Sequence, residues 1–173
     1  MRKLLFSFLL VISIMFFLGC HTKSQIIIDK NSLKDYRNDE LKITLKYPSY
    51  WKADTSLAYL GNQPSQYSGE DGFFALNILV DNNQDLEILV NKEAESGDYG
   101  LTPRIEKTIH NSKVCYYIFP SSDQSSSENK RCCFITELRT IYRDNGINYN
   151  ILIIFADKGH IQKIIDTLEY LYI

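Results

Sequence analysis

The stretch Leu41-Lys-Ile-Thr-Leu-Lys-Tyr47 alternates apolar and polar residues without a fault. Successive side chains of an extended chain point to opposite faces, so this pattern predicts a strand with one face buried and the other wet, and it commits the chain to a sheet. Pro48 ends the strand because it brings no amide proton to a ladder. Tyr50 and Trp51 follow at once. A lone Trp just past a core strand predicts a plug closing one end of the core, with ligand stacking as the alternative.

Further strands follow from the same reasoning. Phe73-Phe-Ala-Leu-Asn-Ile-Leu-Val80 is nearly continuous in apolar residues and predicts a central strand covered on both faces. Short strands are predicted over 105–109 and 114–119, joined by a turn at His110-Asn-Ser-Lys, and a long one over 132–142. Asn145-Gly146 separates this from the next strand, 147–155, and signals a tight two-residue hairpin. Ile147, Tyr149, Ile151, Ile153 and Phe155 share one face of that strand. Spacings of three and four predict two amphipathic helices, one over 86–95 through Leu86, Leu89, Val90 and Ala94, the other over 159–172 through Ile161, Ile164, Ile165, Leu168 and Leu171. Residues 54–72 and 120–131 have loop composition, and the longer of the two is a candidate recognition surface.

The N-terminus is of another kind. Arg2 and Lys3 precede an apolar run from residue 4 to 18, broken only by Ser7 and Ser13 and closed by Phe17-Leu18-Gly19-Cys20. Fifteen residues fall short of the roughly 20 that span a bilayer, so a signal peptide over 1–19 is the expectation. The four-residue ending resembles the lipobox of bacterial lipoproteins. That resemblance implies diacylglycerol on the Cys20 sulfur and cleavage between Gly19 and Cys20, with Phe17 departing from the usual aliphatic residue. Gly19 puts little bulk beside the scissile bond, and Cys20 supplies a thiolate that alkylates to a stable thioether. Two or three acyl chains make a stable anchor where one would be marginal. Residues 20–39 are polar apart from Ile26-Ile27-Ile28 and read as a lipidated tether, the isoleucines forming at most a weak strand.

The order strand, Tyr-Pro and Trp, long loop, strand, helix, antiparallel strands and C-terminal helix resembles the PsbP-like fold, a superfamily that includes DcrB-like bacterial lipoproteins. Leu41-Lys-Ile-Thr-Leu-Lys-Tyr-Pro-Ser-Tyr-Trp51 carries the resemblance at the front, and Asn150-Ile-Leu-Ile-Ile-Phe-Ala156 with residues 161–171 at the back. It implies an α+β domain over 40–173, built as an α/β/α sandwich around a mostly antiparallel sheet, with non-catalytic binding or assembly roles. It carries no site residue over to this chain.

Composition and motifs bound the chemistry. Formal net charge is −2, and removing residues 1–19 leaves 17 basic against 21 acidic side chains, a surface with no electrostatic case for nucleic acid or for anionic lipid. His21, His110 and His160 lack metal-ligand spacing and read as surface histidines; no phosphate loop or Gly-x-Ser-x-Gly occurs, and no metal or cofactor is implied. Cys115, Cys132 and Cys133 would yield one disulfide and one spare thiol in an oxidising space. Symmetric pairing around the 120–131 loop, however, sets Cys115 opposite Thr136, so a link to Cys132 or Cys133 needs a shifted register, and buried free thiols are expected.

The resulting expectation is a lipid-anchored, extracytoplasmic protein of the bacterial envelope, held to a membrane through Cys20. It is not an enzyme, and it binds another envelope protein or assists its assembly. The alternative is a small-molecule or lipid carrier with a pocket between the sheet and the C-terminal helix. Catalysis would require His110 or His160 within hydrogen-bond reach of a cysteine or carboxylate in a cleft.

Overall fold

The computed structural model describes residue 29 and residues 31–80, 83–122 and 130–172. The signal peptide, Gly19, Cys20, His21, the isoleucine triplet and the middle of the 120–131 loop lie outside them. Among the described residues, strands run β1 (Leu33–Asn38), β2 (Ile43–Pro48), β3 (Lys52–Ala53), β4 (Tyr59–Leu60), β5 (Gln63–Pro64), β6 (Gln66–Gly69), β7 (Gly72–Val80), β8 (Arg104–His110), β9 (Lys113–Phe119), β10 (Arg131–Asp144), β11 (Ile147–Asp157) and β12 (Glu169–Tyr170). Two helices, α1 (Leu86–Ala94) and α2 (Ile161–Ile165), complete the set.

A seven-stranded antiparallel sheet, order β3-β6-β7-β11-β10-β9-β8, forms the centre. A second sheet, β1-β2-β12, lies against one face together with α2. Leu41, Ile43, Leu45 and Tyr47 all point into the core between these layers, as the alternation predicts, and Trp51 joins them at 4% exposure. The opposite face is covered by α1, whose Val90 and Ala94 are buried on Ile118, Ile135 and Ile153. The Asp85 carboxylate caps this helix, accepting from Glu87 N at 2.8 Å. β7 and β11 carry buried residues toward both layers, so the outer side of 147–155, left open by the pattern, is a second core face bearing Leu152 and Ile154.

Two local expectations hold in detail. Asn145 and Gly146 have φ of 49° and 81°, the left-handed pair that a two-residue hairpin requires, and Asp144 pairs with Ile147. Cys115 stands opposite Thr136, and all three described cysteines are buried free thiols.

Three expectations are corrected. The C-terminal helix does not run over 159–172. It stops at Ile165, after which the chain turns and extends as β12 along the free edge of β2, so the second outer layer is mostly strand. Leu168 and Leu171 continue the helical spacing, but Leu168 and Tyr170 also fit a period of two. The unpaired edge of β2 decides between them: Lys46 N donates to Thr167 Oγ1 at 2.8 Å and Leu171 N to Lys42 O at 2.8 Å. The tether gives up residues 33–38, which form β1 on β2, because Tyr36 is a core residue and Asn38 Oδ1 accepts from the Glu40 and Leu41 amides to close the hairpin. Finally, 54–72 is not a loop. Its β6 pairs with β7, and the Tyr67 ring stacks on Phe74 at 5.1 Å, a contact that composition cannot reveal.

Candidate functional site

The strand registers align one end of the large sheet from Lys52 through Ser68, Phe73, Asp157 and Arg131 to Phe119 and Arg104. The chain enters the fold at this end, since Leu33 pairs with Pro48 and Ser49 N donates to Ser32 O at 2.9 Å. Here three distant stretches meet on charged groups. The buried Asp157 carboxylate accepts from Phe73 N at 3.2 Å and Gly159 N at 2.9 Å, and faces His160 Nδ1 at 2.9 and 3.0 Å. His160 Nε2 lies 3.9 Å from Asp71 Oδ2. Trp51 Nε1 donates to Asp71 Oδ1 at 3.0 Å, and the Tyr50 hydroxyl donates to Oδ2.

Close approach is bought with glycine: a Cβ on Gly69 would strike the Trp51 ring, and one on Gly72 would strike Asp157. Burial drives the Asp71 carboxyl upward, but hydrogen bonds from Tyr50 and Trp51, aided by the nearby imidazole, outweigh it and hold the group below the usual value. Burial and the bond to Asp71 push Tyr50 up to about 12.

His160 is therefore not the solvated histidine expected; its side chain is only 18% exposed and it is within hydrogen-bond reach of a carboxylate. His110 is not solvated either. Its Nε2 lies 2.9 Å from Leu168 O and its ring sits edge-on to Phe134. A nucleophile to match is not prepared. Burial pushes the Cys132 thiol up to about 12, the nearby Asp157 charge adding to it, and burial raises Cys115 and Cys133 as well, which favours the thiol over the thiolate. No group of three or more His, Cys, Asp or Glu among the described residues is arranged to hold a metal ion. What the cluster does chemically is bind three chain segments together at the end where the N-terminal segment joins.

A second feature lies on the α1 side of the sheet. A groove of about 610 Å³ is lined by Leu79, Val80, Leu89, Ile135 and Ile153, with Lys92 and Glu93 also at it. A polar cleft of about 480 Å³ adjoins it, sharing Gln84 and Leu89 and adding Asp85, Glu137 and Asn150. The alternating pattern gave no sign of either.

No family model matches this chain, and no curated protein matches it. Among solved structures it is similar to the cyanobacterial PsbP (CyanoP) of Synechocystis sp. PCC 6803, with 12% identity and a TM-score of 0.43, over 80% of this chain and 92% of that one.

Proposed function

We propose that this chain is a lipid-anchored, extracytoplasmic protein of the bacterial envelope that binds another envelope protein, or assists its assembly, without catalysis. The observation that carries the reading is the sequence Phe17-Leu18-Gly19-Cys20 closing a fifteen-residue apolar segment that follows Arg2 and Lys3. The position of Leu33 supports it. Twelve residues separate Cys20 from β1, a leash of roughly 40 Å when fully extended, enough for the folded part to stand off a bilayer. A binding role is supported by the raised thiols and by an imidazole engaged in joining segments.

The test is mass spectrometry of the mature chain made in a bacterial host. Its first residue should be a diacylglyceryl-modified Cys20, and Cys20→Ser should move the protein from the detergent phase to the aqueous one. A mature N-terminus elsewhere overturns the anchor. Crosslinking in intact cells should then recover one envelope protein above background, and its failure to do so overturns the partner.

A second reading, a small-molecule carrier, is favoured by the apolar groove under α1. The face once expected to hold the pocket is filled by Tyr36, Tyr47, Phe74 and Phe134.

A further inference from the structure

Strand β8 is an edge of the large sheet: the strand order ends on it, and among the described residues it pairs with β9 alone. Asn111 and Ser112 have φ of 50° and 64°, the left-handed pair of a two-residue hairpin, so His110 and Lys113 flank the turn as a hydrogen-bonded pair. Alternation then turns the backbone groups of Thr108, Glu106 and Arg104 toward β9 and those of Ile109, Lys107 and Ile105 outward. An open edge is a template for another strand unless it is guarded, and natural sheets guard theirs with charge, lysine above all, with proline or with a bulge. Here the guards are turned away. The Lys107 ammonium stands 5.4 Å from the ring centre of Tyr116, its cross-strand neighbour on β9, and 3.7 Å from Glu87 of α1. The Arg104 guanidinium stands 4.6 Å from the ring centre of Phe119, its own neighbour on β9. Both cations lean back across the sheet. β8 holds no proline, and its register with β9 runs without a bulge.

What the edge presents instead is apolar. Ile105 and Ile109 are 38% and 73% exposed, and Val114, opposite Ile109, is 44% exposed. Tyr116 and Ile118 of β9 share that face and are buried with Val90 and Ala94 of α1, which leaves these three in solvent. The sequence of β8, Arg-Ile-Glu-Lys-Thr-Ile-His, is symmetric in this respect about Lys107, with an isoleucine two residues to either side. A two-fold axis perpendicular to a sheet preserves its faces, so antiparallel pairing with a second copy about Lys107 sets Ile105 of each chain against Ile109 of the other. The same register brings the outward backbone groups of residues 105, 107 and 109 to hydrogen-bonded positions, and it sets Glu106 against a Thr108 hydroxyl that can donate to it. The two Lys107 residues meet at the axis, each drawn back toward Glu87 and Tyr116 of its own chain. We propose that the protein forms a homodimer joined edge to edge through β8, the two large sheets running on as one. The proposal depends neither on the lipid anchor nor on a partner of another kind.

Sedimentation equilibrium of the full chain in density-matched detergent tests it, with a reversible dimer expected in the micromolar range. Lys107→Pro removes an outward amide and no bond to β9, and Ile109→Asp sets a carboxylate against Ile105; each should raise the dimer dissociation constant about tenfold or more. Both should leave the far-ultraviolet circular dichroism unchanged, since both side chains lie outside the core. Disulfide trapping reads the register. A mixture of Ile105→Cys and Ile109→Cys chains should oxidise to a linked heterodimer, and either variant alone should not, because 105 stands opposite 109 and not opposite itself. A chain that is monomeric throughout the range, or a dimer untouched by both substitutions, overturns the proposal, and so does a link formed equally well by either variant alone. If Ile109→Cys traps a different envelope protein in cells while the purified chain stays monomeric, the edge belongs to a foreign strand, and the second copy is overturned as its occupant.

Discussion

At the scale of single residues, Asp71 shows how much one carboxylate can organise. It accepts from Tyr50 and Trp51, about twenty positions away, and faces His160 across the end of the sheet. Its carboxyl is held below the ordinary value, so it stabilises the fold at pH above the unfolded value near 3.9, and that contribution is lost as pH falls through the folded value. Asp71→Asn should therefore cost about 1–2 kcal/mol at neutral pH. It should also make unfolding by urea less dependent on pH between roughly 5 and 2, in the carboxylate range. A variant whose pH profile matches the parent protein would remove Asp71 from this role. The aromatic half of the cluster was legible, since Trp51 directly after a core strand predicts burial. The charged half was not: Asp157 reaches Phe73 across 84 positions, and no local spacing announces such a meeting.

Among the elements, turns were read best because their chemistry is local. The 145–146 hairpin needs two left-handed residues, and an Asn-Gly pair is the cheapest way to provide them. Gly146 at φ 81° has no heavy atom near a built Cβ, so substitution there meets backbone strain alone. Gly146→Val should destabilise by about 1–2 kcal/mol, with no repacking elsewhere, whereas Asn145→Gly should be nearly neutral. Thermal melts of the two variants check this, and equal melting temperatures would mean the turn has another conformation. α1 was legible for a similar reason, with a cap, a periodic face and Gly97 at φ 90° beyond its end. The C-terminal segment was not, because its last residues satisfy two periods and only the open edge of β2 chooses between them.

Over the whole molecule, two apolar layers flank one sheet, and tyrosines fill much of the larger layer. Tyr36, Tyr47 and Tyr117 lie in that core, and burial pushes each phenol up to about 12 from an ordinary 10.0. A raised value favours the protonated phenol in the folded state. Stability from these groups is complete below pH 10 and is lost as pH rises through the folded value. The protein should accordingly unfold cooperatively between roughly pH 10 and 12, with tyrosinate absorbance and loss of sheet circular dichroism rising together. Ionisation of these tyrosines with the sheet intact would show a core more open to water than the packing implies.

The sequence by itself determined the elements whose causes are local: the buried alternation of residues 41–47, the capped helix, the Asn-Gly hairpin, and the register that keeps Cys115 opposite Thr136. It also holds the motif on which the anchor at Cys20 is proposed. Tertiary structure alone decided which free edges were filled, turning part of the tether into β1 and the end of a helix into β12. It alone placed Asp71, Asp157 and His160 together and buried the Asn150 Oδ1 without a hydrogen-bond partner among the described residues. The division has one physical reason. Side-chain periodicity and turn conformation depend on neighbours along the chain, whereas hydrogen bonds at an open strand edge and charges at a sheet's end depend on groups brought together only by folding.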